Sequence, residues 1–379
     1  MQYNVVVSNT NQSVPFTTFL YKHHIELGAH MGLFAGWWMP IYYHSALEEH
    51  KAVRENAGIF DLCHMGQFFV EGPQAAEWLN GILTNDLSVL NDGQSQYNLL
   101  LTDSGGIIDD LLLYRINSTS YLLVVNASVA DKDYSLFHRF LPQQGVTLTD
   151  NRHKWGCIAI QGPQSWAIVK KVFGLDPLPK HTLKKIIFEK QFLYIASTGY
   201  TGETGAELFF PAAIASLIWT RLLEEGKIIH LLPCGLASRN ILRLEASLPL
   251  NGIDLREDKN PWEAELDKAV CLSKPYTFPG KFALVQLKNT FQDLLVAFTA
   301  KDIMCPQPRT GSPIFFMGEK RGEVTSGVWS PSLGRVIGMG YIHKFCATVG
   351  NTIEIEIRDK RYPFLIQKKP LYRKGSSHS

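Results

Sequence analysis

Apolar positions along the chain follow two textures, and the change between them falls near residue 288. Up to that point, segments with helical spacing alternate with short, dense apolar runs. The spacing predicts a helix over 16–29 ending near Gly28, and another at "SALEEHKAVRENA", where the periodicity is charge-rich. Further helices are predicted at "QAAEWLNGIL", "QSWAIVKKVF" and "AAIASLIWTRLLEEG". Between them, "GQFFVEGP", the stretches 97–101, 107–114 and 121–126, "CIAIQGP" and "QFLYIAST" read as strands. "NDGQ" and "INSTS" read as turns, and "FAGWWMP" as an aromatic loop. An order of strand, Gly-Pro and helix occurs at Val70-Glu71-Gly72-Pro73 and again at Ile160-Gln161-Gly162-Pro163. That recurrence points to two related α+β halves. Beyond residue 290 helical periodicity fades. "LLVAFTA", "SPIFFMG", "GEVTSGVWS", "RVIGMGYI" and "TIEIEIRDKRYPFLIQ" are short alternating strands that fit a small β-barrel or sandwich. The expected class is α+β, with one region over 16–288, a barrel over 290–373, and 374–379 as a flexible tail.

One stretch breaks the pattern. In "SGGIIDDLLLY", residues 104–114, two adjacent carboxylates interrupt an apolar run. Burying a carboxylate among isoleucines and leucines is costly unless it is paired or hydrogen-bonded. On a strand, successive side chains point to opposite faces. Asp110 therefore shares a face with Ile108, Leu112 and Tyr114, and Asp109 with Leu111 and Arg115.

Composition narrows the chemistry mainly by exclusion. The 379 residues are 45% hydrophobic and 19% charged, with a formal charge of +2, which is ordinary for a globular protein. No basic block marks a nucleic-acid footprint. The six cysteines are scattered without a C-x-x-C pair, as expected of small buried residues in a reducing compartment. No phosphate-binding loop, G-x-S-x-G or H-E-x-x-H motif occurs, and the histidines lack a ligand-like partner set, so no metal site is expected. The first basic residue is Lys22, and the run "MGLFAGWWMPIYY" is too short to span a bilayer, so a cytoplasmic protein with no membrane association is expected. The stretch "TGYTGETGAE", 198–207, fits either a loop needing positive φ or a backbone approaching a flat ligand, with Glu203 as a bidentate acceptor. "CGLASRNILRLEASLPLNG" reads as a helix closed by Gly252, with Arg239 and Arg243 on one face, the usual mark of a solvated or ion-paired surface.

Taken together, "FAGWWMPIYY", "FDLCHMG", "SGGIIDDLLLY", "IQGP", "TGYTGETGAE", "SRNILRLEASLPLNGIDL" and "GEVTSGVWSPSLGRVIGMGYI" resemble, in order, the aminomethyltransferases of the glycine cleavage system. The resemblance runs from about residue 16 to 373. It implies a multi-lobed folate-binding region of mixed and antiparallel sheets, followed by a C-terminal β-barrel. It also implies transfer of the methylene of an aminomethyl group, carried on the dihydrolipoyl arm of the lipoylated H-protein, to tetrahydrofolate. The products are 5,10-methylenetetrahydrofolate, ammonia and the dihydrolipoyl H-protein. Carried over residue by residue, the active-centre acid falls on Asp110, the pterin-binding carboxylate on Glu203 and a folate-contacting arginine on Arg239. Tyr97, Tyr114 and Asn126 match positions lining the folate pocket, and Tyr372 is a weaker match. Asn240 stands where the family usually has Asp, which removes an i, i+3 ion pair with Arg243. "AELDKAV" replaces a more apolar, glycine-containing stretch, and "AST" lacks the family's usual Arg before the Thr.

The chemistry fits the matched residues. A carbon bonded to both nitrogen and sulfur is poised to form an iminium as thiolate leaves, and N5 of tetrahydrofolate attacks it with loss of a proton. A carboxylate beside N5 orients the nucleophile and stabilises cationic character. Asp110, to which the resemblance assigns that chemical role, shares its strand face with the matched pocket residue Tyr114, whereas Asp109 faces away and is expected to be structural, with Arg115 as its partner. Two rival readings remain. A tetrahydrofolate-dependent demethylase of a small N- or S-methyl compound would keep the fold and change the substrate. A non-catalytic folate-binding module would be expected to carry K-G-C-Y-x-G-Q, which is absent from the sequence.

Overall fold

The computed structural model describes residues 14–373, so the tail reading for 374–379 lies outside the described residues. It contains two compact units assembled from interleaved segments. The first runs up to Asn80 and adds Leu87–Tyr97 and Leu111–Asn240. The second comprises Gly81–Asp86, Asn98–Asp110 and the chain from Ile241 onward.

Two sheets built on the same plan dominate the architecture. One has the strand order Ser95–Leu101, Ile107–Asn117, Ser120–Val125, Gly66–Glu71, Thr147–Asp150. The other runs Leu183–Phe188, Gln191–Ala196, Gly205–Pro211, Trp155–Gln161, Gly58–Asp61, Leu232–Pro233. Gly66–Glu71 in one and Trp155–Gln161 in the other each lead into a Gly-Pro corner and a helix, Ala75–Asn80 or Ser165–Phe173. The corner glycines share an unusual backbone, φ +133° at Gly72 and +127° at Gly162, which only glycine adopts easily. Each donates its N–H to a distant carbonyl at 2.8 Å, Thr119 O for Gly72 and Thr204 O for Gly162. The two halves expected from the repeated Gly-Pro order therefore share corner geometry and strand order.

The packing of Ser165–Phe173 shows why the helices follow the strands. Trp166, Ile168 and Val169 are buried, while Lys170 and Lys171 point to solvent. Gly174, with φ +66°, closes the helix by donating its N–H to Lys170 O. The buried face joins Ile158, Ile160, Leu208, Phe210, Ile218, Trp219 and Leu222 in one apolar cluster. Each such side chain contributes roughly 1.5–3 kcal/mol when fully buried.

In the second unit, six strands close a barrel in the order Asp293–Ala300, Arg335–His343, Glu319–Ser330, Pro313–Phe316, Thr352–Ile357, Lys360–Gln367. Alternate residues such as Val296, Phe298, Ile353, Ile355, Phe364 and Ile366 fill its interior.

Three expected elements differ. The helix over 16–29 is shorter, Tyr21–Glu26, because Phe16–Thr17 pairs as a strand with Trp37–Trp38. "FAGWWMP" is a hairpin rather than a loop. Ala35 and Gly36 take positive φ, +49° and +82°, and so turn His30–Phe34 back onto Trp37–Tyr42. The helix expected to close at Gly252 runs only over Leu236–Glu245. Pro249 has no N–H to continue it, and Gly252 serves a later turn by donating its N–H to Leu255 O.

Candidate functional site

The loop 197–204 of the first unit joins strand Gln191–Ala196 to strand Gly205–Pro211. Its glycines let it close on one side chain, Gln161, at the end of strand Trp155–Gln161. A Cβ at Gly199 would lie 2.0 Å from Gln161 Oε1, and one at Gly205 would lie 2.3 Å from Gln161 Nε2. Fully buried, Gln161 donates from Nε2 to Thr198 O at 3.1 Å and accepts at Oε1 from Thr201 Oγ1 at 2.9 Å. Thr201 Oγ1 in turn accepts the Glu203 N–H at 3.2 Å. The Glu203 side chain is 2% exposed, and its Oε1 accepts from Arg54 Nη1 at 3.1 Å. The same nitrogen donates to Thr201 O at 2.8 Å. Glu203 thus sits on a loop locked by one amide and one guanidinium.

Tyr114, on strand Ile107–Asn117, is fully buried in the first unit. Its hydroxyl lies 2.8 Å from Thr198 Oγ1 and donates to Glu207 Oε2 at 3.3 Å. Thr198 Oγ1 also donates to Glu207 Oε2, at 2.5 Å. Burial, followed by the charge of Glu207, pushes the phenol pKa well above its usual value, so the group stays protonated. Glu207 is the second acid of the stretch in which only Glu203 stood out from sequence. A count of all carboxylates in that stretch would have found it.

Arg239 lies on helix Leu236–Glu245, with its guanidinium carbon 4.8 Å from the centre of the Tyr200 ring. Its Nη1 is buried and makes no hydrogen bond. Desolvation lowers its pKa, opposed by the charge of Glu207 and by Tyr200. An unpaired buried donor costs about 1–3 kcal/mol, so this nitrogen suits a ligand oxygen or carboxylate. His64 is also buried with an unpaired Nδ1. Burial, opposed by Asp61 and reinforced by Arg239, brings its pKa down to about 4, which leaves the imidazole neutral. No spacing signal pointed to His64 or Arg54. Tyr97 is a partly exposed residue of strand Ser95–Leu101. Asn126 follows strand Ser120–Val125, and its carbonyl accepts the Val129 N–H at 3.2 Å.

The second unit carries Asp109 and Asp110. Asp109 is fully buried and Asp110 is partly exposed. The backbone leading to them is pinned twice. Asn251 Nδ2 donates to Ile108 O at 3.0 Å, and Ile107 N–H donates to Lys259 O at 3.0 Å. The expected pairing of Asp109 with Arg115 is not formed. Arg115 instead donates to Asp92 Oδ1 at 2.8 Å and to Leu90 O at 2.6 Å. Tyr372 is tied down by its N–H, which donates to Glu245 O at 2.8 Å. Arg243, deprived of an acid at position 240, pairs with buried Asp254 at 2.6 Å and also donates to Ser326 Oγ at 2.9 Å. Neither arginine of this helix is a solvated surface charge.

Two family models cover most of the chain. The "GCVT N-terminal domain" matches residues 20–274, and the "Glycine cleavage T-protein C-terminal barrel domain" matches 294–373. The aminomethyltransferase of Shouchella clausii is 39% identical over 362 residues, covering 94% of this chain and 98% of the relative. That of Chlorobaculum tepidum is 39% identical over 358 residues, with coverage of 93% and 97%. A crystal structure of glycine cleavage system aminomethyltransferase T from Bartonella henselae superposes with a TM-score of 0.87. It is 32% identical and covers 94% of this chain and 98% of its own.

Proposed function

The chain belongs to the glycine cleavage T-protein family and has its aminomethyltransferase activity, and from that premise we propose which of its residues carry the reaction. The family uses tetrahydrofolate. The residues present suit such a group, because a flat pterin with an N–H edge needs a carboxylate acceptor and an anionic tail needs a cation. Glu203 supplies the carboxylate and the unpaired Nη1 of Arg239 supplies the donor. Tyr97, Tyr114, Asn126 and Tyr372 are the further positions that the family resemblance matches to folate binding. When bound, tetrahydrofolate supplies the N5 nucleophile.

The protein's own part in the reaction is orientation and charge. Asp110 accepts a hydrogen bond from the attacking amine and stabilises positive charge at the transferred carbon. Tyr114, kept protonated by burial, cannot add a competing negative charge, and it holds the loop through Thr198 and Glu207. The aminomethyl group arrives on the lipoyl arm of H-protein. The carbon's bonds to sulfur and to nitrogen would be replaced by bonds to two nitrogens of tetrahydrofolate, and the two protons those nitrogens give up leave on the thiol and on ammonia. Cytoplasmic residence accords with the absence, among the described residues, of any helix long and apolar enough to cross a membrane.

The unpaired, buried Nη1 of Arg239 above Tyr200 is the observation that most favours a bound anionic cofactor here. The test is turnover: methylenetetrahydrofolate should form with aminomethylated H-protein and not with free dimethylglycine or a sulfonium compound. Equal turnover with a small methyl donor would replace this reading by the demethylase one.

A further inference from the structure

The helix Ala46–Glu55 drew attention in the sequence only for its charges, yet two of those charges are buried and face inward. Glu49 is 2% exposed, and its two oxygens are shared between separate backbone segments. Oε1 accepts the Tyr43 N–H at 2.7 Å, and Oε2 accepts the Gly235 N–H at 2.8 Å. Gly235 immediately precedes helix Leu236–Glu245, and its carbonyl accepts the Arg239 N–H at 3.1 Å. At the other end of the helix, the Arg54 side chain is 6% exposed, and its Nη1 spans Thr201 O and Glu203 Oε1. One helix therefore grips both the start of the Arg239 helix and the loop that bears Glu203. All of these contacts lie within the first unit.

We propose that Arg54 is a positioning residue for tetrahydrofolate recognition, fixing the Glu203 carboxylate and its loop, with Glu49 anchoring the Arg239 helix from the same scaffold. The proposal rests on the reading of Glu203 as the pterin-binding carboxylate. A guanidinium suits the task because its permanent charge and fixed N–H directions let one nitrogen hold both the Glu203 carboxylate and the Thr201 carbonyl, whereas an amide at the same place offers no charge. A buried ion pair of this kind is poor evidence for stability, since the desolvation penalty offsets much of the attraction. Orientation of a ligand-binding acid is a better reason to keep it.

The test compares Arg54→Gln, Arg54→Lys, Glu203→Gln and the Arg54→Gln/Glu203→Gln double variant in the full chain, with aminomethylated H-protein as donor. Arg54→Gln should raise KM for tetrahydrofolate about tenfold, the lower range for one charge-assisted bond, while kcat falls by less than about threefold. Arg54→Lys should recover part of that loss. In the Glu203→Gln background, Arg54→Gln should change KM by less than about twofold, because the carboxylate it orients is gone. Calorimetric affinity for tetrahydrofolate alone should follow the same pattern. If Glu203→Gln weakens binding but Arg54→Gln does not, or if the two losses simply multiply, the positioning role is wrong and the Glu203 reading stands. If Glu203→Gln leaves affinity unchanged, the underlying reading fails and the proposal falls with it. If Arg54→Gln does not melt cooperatively, Arg54→Lys carries the test. A lower melting temperature with unaltered KM in that variant, or failure of both to fold, would make Arg54 purely structural.

Discussion

The half that begins at Gly66 and the half that begins at Trp155 share strand order and a glycine corner, yet they lengthen opposite loops. In the first, Ser95–Leu101 reaches Ile107–Asn117 through 102–106, and the next connection needs only Ser118 and Thr119. In the second, Leu183–Phe188 turns directly into Gln191–Ala196 through Glu189 and Lys190, both at positive φ, and the long connection is 197–204. The aspartate pair follows the long loop of the first half, and Glu203 lies within the long loop of the second. Strand order supplies the scaffold, while the two carboxylates matched by resemblance, Asp110 and Glu203, sit just after or within the connection each half extended.

The sharpest way to break this assignment is to exchange the two aspartates' roles. Asp110→Asn should lower turnover about a hundredfold or more with normal melting, since it keeps shape and removes the charge beside the reacting amine. Asp109→Asn should reduce the melting temperature and spare most activity, because Asp109 is fully buried while Asp110 is partly exposed. Turnover and melting of both variants decide it. An inactive but stable Asp109→Asn would overturn both the parity assignment and the choice of acid.

The equivalence of the two corners can be tested on stability alone. A Cβ at Gly72 would lie 2.2 Å from Gly145 O, and one at Gly162 would lie 2.6 Å from the carbonyls of Asn56 and Val53. Both positions also have positive φ, so each alanine variant should lose about 3 kcal/mol in denaturant unfolding. A neutral Gly162→Ala would show that the second corner is not constrained like the first.

The parts legible in the sequence were those with local causes. Period-2 runs such as "TIEIEI" and the Gly-Pro corners announce themselves, because alternation and φ restriction act within a few residues. Parity put Asp109 and Asp110 on opposite faces of the strand for the same reason, but which of the two is buried came only from the structure. The partners of charged groups were not legible. Arg115 chose Asp92, Arg243 chose Asp254 and Arg54 met Glu203, 149 positions away. Such pairings depend on how strands are ordered in space, which spacing along the chain does not encode. "FAGWWMP" failed differently: Ala35, not only glycine, accepts a positive φ, and that turned an apparent loop into a hairpin.

A smaller effect sharpens the role of the second half's long loop. Glu203→Gln should weaken tetrahydrofolate binding by roughly 1.5–3 kcal/mol, since an amide cannot accept two charge-assisted N–H bonds. Calorimetry reads the loss directly. Unchanged affinity would remove Glu203 from the pocket and leave the long loop of this half without a binding role.

The second sheet also differs by an extra strand, Gly58–Asp61, inserted between Trp155–Gln161 and Leu232–Pro233. Its last residue, Asp61, is buried against buried His24, Oδ2 to Nε2 at 2.8 Å, and Asp61 Oδ1 accepts the Cys63 N–H at 2.8 Å. Burial alone would raise the Asp61 pKa, but the bond to and charge of His24, with the Cys63 contact, hold it at about 2 against an ordinary 3.8. A folded-state pKa below the unfolded one means stability that is fully present above pH 4 and lost as pH falls through about 2. The contribution is about 2 kcal/mol. Asp61→Asn should therefore unfold more easily than the parent at pH 5, and the gap between them should narrow by about that amount as pH falls to 2. Denaturant melts of both proteins across this range measure it. A gap that stays constant would mean that Asp61 is not held ionised by His24, and that the inserted strand owes its place to the apolar packing of Ile59 and Phe60 alone.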